Sequence, residues 1–157
     1  MLPTDRWLLA GGLLTGIAAL LHLGIIVGGP DWYRFFGAGE QMARMAELGL
    51  WQPTVATLVI ASALLVWALY ALSGAGLLRR LPLLRSVLVA ITAVYVVRGL
   101  FGFLAMPAWV PGRSDAFWLW SSGICMLIGV VHLVGLWRAW PRLRPASPAG
   151  ALEGFRP

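Results

Sequence analysis

Residues 48–78, LGLWQPTVATLVIASALLVWALYALSGAGLL, form a run of 31 residues without a charge, bounded by Glu47 and Arg79. About 20 apolar residues in a helix cross the hydrocarbon core of a bilayer, so this run reads as a transmembrane helix. Pro53 lies near its expected start, where a proline costs no hydrogen bond. Working outward, residues 7–30 give 24 uncharged positions between Arg6 and Asp31, and residues 116–137 give 22 between Asp115 and Arg138. Residues 86–106 match them except for one ionic side chain, Arg98. The expected fold is all-α and polytopic. Four transmembrane helices, at about 7–27, 54–74, 86–106 and 116–137, form an antiparallel bundle in one domain through residue 140.

Composition agrees. Of 157 residues, 60% are hydrophobic and 11% charged, with a mean hydropathy of +0.83. A soluble domain carries about 45–50% apolar and about 25% charged residues. An ordinary soluble enzyme, a disordered chain and a disulfide scaffold are thereby excluded. The single cysteine, Cys125, allows no internal disulfide and no CxxC motif.

The net charge is +6, and all twelve basic residues are arginine. Arg79, Arg80 and Arg85 form one cluster and Arg138, Arg142 and Arg144 another, each beside a hydrophobic run. That placement argues against nucleic acid as a partner and for a membrane orientation signal. Both termini are expected on the cytoplasmic side of a bacterial inner membrane, with loops 28–53 and 107–115 outside. Trp32, Trp51, Trp109, Trp118 and Trp120 fall near the expected outer boundary and Trp7, Trp137 and Trp140 near the inner one, the levels that indoles prefer. The first run extends past His22 without a small-residue cleavage site, so it is expected to remain as a span.

Within the first outer loop, residues 39–50 have helical character: Glu40, Arg44 and Glu47 share a face. A short interfacial helix is expected there. The Pro-rich segment 141–157 is expected to be a disordered tail. Pro30-Asp31-Trp32 and Pro107-Ala108-Trp109 follow the first and third spans, a faint sign of duplication.

Helices in lipid associate by close packing at small residues. The expected seam comprises Gly12, Gly16, Gly24 and Gly28 on the first span and Gly99 and Gly102 on the third. The fourth contributes Cys125, Gly129 and His132.

Ionisable groups inside hydrocarbon are unfavourable by about 2.5–3.5 kcal/mol and so are functional candidates. At about 1.5 Å per residue, His22 lies about 8 Å, Arg98 about 12 Å and Ser121 and Ser122 about 8 Å below the outer boundary, with Thr57 slightly shallower. His132 lies about 24 Å down, too far from His22 for the two to share a haem iron. Two separated histidines and one cysteine make no zinc site. Neither a metal nor a cofactor is expected.

The candidate site is therefore a polar outer-leaflet pocket of His22, Arg98, Ser121, Ser122 and Thr57, with Glu40 and Glu47 above it. It would bind, sense or move a small amphipathic ligand such as a lipid or quinone, the arginine fork gripping carboxylate or phosphate. Two rival readings stay open: an accessory subunit of a larger membrane complex, and a membrane enzyme using His22 and Arg98; the partners to expect are membrane lipid and a membrane protein or a homo-oligomer.

Overall fold

The computed structural model describes residues 4–104 and 115–143. Five helices run through them: α1 (Arg6–Phe35), α2 (Glu40–Glu47), α3 (Gln52–Gly74), α4 (Leu84–Leu104) and α5 (Asp115–Ala139). All but α2 are long and apolar enough to cross a membrane. The described residues contain no strand. The loop with Pro107, Trp109 and Arg113, and with it the suggested duplication, lies outside the described residues.

α1 starts on a side-chain cap. Asp5 accepts from the backbone N–H of Trp7 and Leu8 through Oδ1, at 3.1 and 3.0 Å. The helix breaks at Gly29, where φ is +70° and ψ −153°. Pro30 disfavours helical geometry in the residue before it, and only glycine enters this region without strain. Pro30 then opens a second helical segment that ends at Phe35, so helix continues into what the sequence suggests is loop. The break folds Trp32 back onto α1. A Cβ on Gly28 would meet the Trp32 indole at 2.1 Å, and one on Gly24 at 3.3 Å. Gly24 and Gly28, expected on an interhelical seam, instead seat a side chain of their own helix.

The expected loop helix is α2. Ala43 is buried, and Met42 and Ala46 pack with Phe36 against Ile25 and Tyr33. α2 and α3 end in the same way. Gly49 and Gly76 take positive φ, and the following N–H reaches back five residues, Leu50 to Met45 and Leu77 to Leu72.

α1 packs on α3 and α4 on α5, and the two pairs meet through α1 on α5 and α3 on α4. Glycines set the closest approaches. Gly12 faces Leu72 and Ala68, Gly99 faces the Met126 backbone, and Gly129 faces Val96 and Tyr95. Gly16 has more room, with the Ala68 methyl 4.0 Å from its Cβ position. Leu8, Leu64, Leu88, Ile91 and Ile128 belong to the shared core. The outward faces are apolar too: Leu20, Val27, Val59, Leu119 and Leu127 are exposed, as suits a lipid surroundings rather than water.

Where α1 begins and α5 ends, the chain is tied by polar contacts. Asp5 is 6% exposed and its Oδ2 accepts from Arg142 at 3.0 Å, while its N–H donates to the Ala75 carbonyl at 3.1 Å. Arg80 donates to the Leu143 carbonyl, and Arg85 stacks on the Trp140 ring at 3.4 Å. Residues 141–143, expected in the loose tail, therefore form a docked turn with Leu143 buried; the tail from 144 on lies outside the described residues.

Candidate functional site

Arg98 and Gly102 lie one turn apart on α4, and Trp118, Ser121 and Ser122 share one stretch of α5. The missing side chains at Gly99 and Gly102 let α5 approach α4 at this level. Arg98 Nη2 donates to Ser121 Oγ at 2.9 Å, and the guanidinium carbon stands 5.6 Å from the centre of a Trp118 ring. Arg98 Nη1 and Ser122 Oγ are both buried and have no hydrogen-bond partner among the described residues. The position of a Gly102 Cβ is 2.5 Å from Nη1 and 2.1 Å from Ser122 Oγ, so both polar atoms occupy the space that this glycine leaves. A guanidinium N–H cannot accept. Its complement is an oxygen acceptor. Trp118, expected at the headgroup level, is 3% exposed and forms one wall of this site.

The other expected site residues are engaged elsewhere. His22 is half-buried, and its Nδ1 donates to the Ala18 carbonyl of its own helix at 2.7 Å. Thr57 donates to the Pro53 carbonyl at 2.8 Å and lies 3.2 Å from Tyr33 Oη, which pins the far segment of α1 to α3. Glu40 and Glu47 do not reach Arg98. They take Arg34, which donates to Glu40 through Nε at 2.9 Å and Nη2 at 3.1 Å, and to Glu47 at 2.6 Å. The Gly29 break is what brings Arg34 over α2. Arg44 adds a bond to Glu40 at 3.0 Å. The Arg34 bonds, then Arg44, hold the Glu40 carboxyl at about 2, below its ordinary 4.5, and the Glu40 and Glu47 bonds hold Arg34 above its usual range.

His132 lies in the interior between the helices. It is fully buried, stacks on Tyr95 at 5.5 Å between ring centres, and donates from Nδ1 to the Ile128 carbonyl at 2.9 Å. Tyr95 donates to Thr15 at 3.2 Å and meets Trp67 edge-on. Gly11 makes room for the imidazole, since a Cβ there would be 2.8 Å from Cε1. Cys125 is half-buried. Among the described residues, no three His, Cys, Asp or Glu side chains gather where a metal ion could be held.

Sequence reasoning missed Gly102 as the spacer of the Arg98 site, Trp118 as its wall, and the Thr15–Tyr95–His132 chain. The i, i+4 pairing of Arg98 with Gly102 was the available signal for the first. No family model, curated protein or solved structure matches the chain.

Proposed function

We propose that the chain is an integral membrane protein of four antiparallel spans, α1, α3, α4 and α5, that holds a small amphipathic molecule by an anionic or carbonyl head group at Arg98. The observation that carries this reading is the pair of buried polar atoms, Arg98 Nη1 and Ser122 Oγ, packed against Gly102 with no hydrogen-bond partner among the described residues. An unsatisfied buried donor costs about 1–3 kcal/mol, and more when charged. A carboxylate, phosphate or carbonyl oxygen entering between α4 and α5 removes that cost for both donors at once. Its apolar part would lie on the exposed side chains of the same helices, Phe101, Leu104 and Leu119.

The test is identification of small molecules that co-purify with the protein in detergent. Wild-type protein is expected to carry one acidic or carbonyl-bearing amphipath. Arg98→Lys keeps the charge but loses the planar fork, and Ser122→Ala loses the second donor. Each is expected to lower occupancy about tenfold or more, the factor that corresponds to one charge-assisted hydrogen bond. Unchanged occupancy in both variants, or a stoichiometric protein partner in place of any small molecule, would turn the reading toward the accessory subunit.

A further inference from the structure

At the far end of the molecule from Arg98, where α1 begins and α5 ends, the structure has an open cavity of about 670 Å³. Three arginines line it, Arg6, Arg138 and Arg142, with Asp5, Thr4 and Trp7. One acid against three cations leaves the cavity positive. The acid, moreover, is already occupied. Asp5 Oδ1 takes the backbone N–H of Trp7 and Leu8, and Oδ2 takes Arg142 at 3.0 Å. Arg142 is thereby fixed in the wall. Arg6 and Arg138 are exposed, one on the first turn of α1 and the other on the last turn of α5.

The geometry points to this cavity as a binding site for the phosphate of an anionic phospholipid. The inference rests on the four-span reading, which places this end at a headgroup level, and is independent of any ligand at Arg98. Phosphate fits the donor set, because planar guanidinium forks match its oxygens and no uncommitted acid among the described lining residues opposes them. Lipid is the source that the surroundings favour over a free phosphate. Trp7, in the cavity lining, and Trp137, next to Arg138 in the chain, are exposed, and Leu13, Ile17 and Leu133 continue exposed along α1 and α5. A head group seated on the arginines leaves its acyl chains on that apolar surface. Basic pockets at the ends of spans are suited to acidic head groups in this way.

Native mass spectrometry of the full chain, delipidated in detergent and resupplied with one lipid, tests the site. Phosphatidylglycerol and phosphatidylcholine of equal acyl chains are the probes. Wild-type protein is expected to retain phosphatidylglycerol over phosphatidylcholine. Arg6→Gln and Arg138→Gln are each expected to weaken phosphatidylglycerol retention about fivefold, the factor for one arginine near an acidic head group. Among the described residues neither side chain has a hydrogen bond or ion pair to lose, and unchanged melting of each single variant checks that. Arg79→Gln, an exposed arginine of the same end outside the cavity, is expected to change retention little. Equal retention of the two lipids, no loss in either cavity variant, or an equal loss in Arg79→Gln overturns the site. Displacement of phosphatidylglycerol by millimolar inorganic phosphate overturns the lipid assignment and makes the ligand a free phosphate compound.

Discussion

Gly135 and Gly123 sit on the same helix and differ in what stands opposite them. A Cβ on Gly135 would lie 2.8 Å from the Leu8 backbone nitrogen, whereas one on Gly123 would meet nothing within 4 Å. Backbone cannot swing aside as a side-chain tip can. Gly135→Ala is therefore expected to destabilise the protein by about 1–3 kcal/mol, the range for overpacking. Gly123→Ala is expected to be neutral, or stabilising by up to about 1 kcal/mol through helix propensity. Thermal unfolding in detergent compares them, and equal midpoints would remove glycine-set packing from the account of this fold. Small-residue spacing in the sequence singles out Gly12, Gly99, Gly102 and Gly129, at each of which a Cβ would meet a neighbouring helix. It passed over Gly11 and Gly135 and misassigned Gly24 and Gly28. The reason is physical: a helix apolar all round has no polar face to mark which side turns inward. Arg98 was legible as costly to bury. Its pairing with Ser121, rather than with a loop carboxylate, depended on how closely α4 and α5 approach.

α2 shows what an element adds to its residues. The spacing of Glu40, Arg44 and Glu47 announced a helix with one charged face. Their main cation, however, is Arg34, delivered by the break at Gly29 in the preceding helix. A break of that kind was signalled by Gly29-Pro30, but its direction was not. The pH dependence of this cap follows from Glu40. Its carboxyl titrates near 2 in the fold against 4.5 in an ordinary setting. A depressed value means that the ion pair stabilises the cap fully above pH 4.5 and that this contribution is lost as pH falls toward 2. Because the groups are exposed, the effect is local rather than global. Trp32, folded onto α1 beside Arg34, is the reporter. Proteolytic cutting within residues 36–52 is expected to speed up across that acid window, with a parallel change in indole emission. Arg34→Gln is expected to show the fast cutting already at pH 7. An acid response in Arg34→Gln equal to that of wild type would detach the cap from this ion pair.

At the scale of the whole molecule the two ends are chemically unlike. One gathers Arg6, Arg79, Arg80, Arg85, Arg138 and Arg142 around a cavity and a set of ties between the start of α1 and the turn after α5. The other carries Arg34 and Arg44, both bound to carboxylates of α2. The number of long apolar helices was legible from three charge-free runs and a fourth interrupted by Arg98, because length against bilayer thickness is a one-dimensional measure. Which helix pairs with which was not, because that depends on contacts that no run of apolar residues encodes. Arginine near the ends of spans is retained on the cytoplasmic side, so the arginine-rich end is expected to face the cytoplasm. Single cysteines in a Cys125→Ser background, probed on intact cells with an impermeant maleimide, decide this. Thr4, Gln41, Pro82 and Pro141 are all exposed and stand in turn before α1, on α2, between α3 and α4, and after α5. Gln41→Cys is expected to react from outside, and the other three only after the cells are opened. The reverse pattern would keep four crossings and invert the protein. Reaction of Gln41→Cys and Thr4→Cys from the same side would mean that α1 does not cross. The basic cavity and the Arg98 site could then no longer be assigned to opposite leaflets.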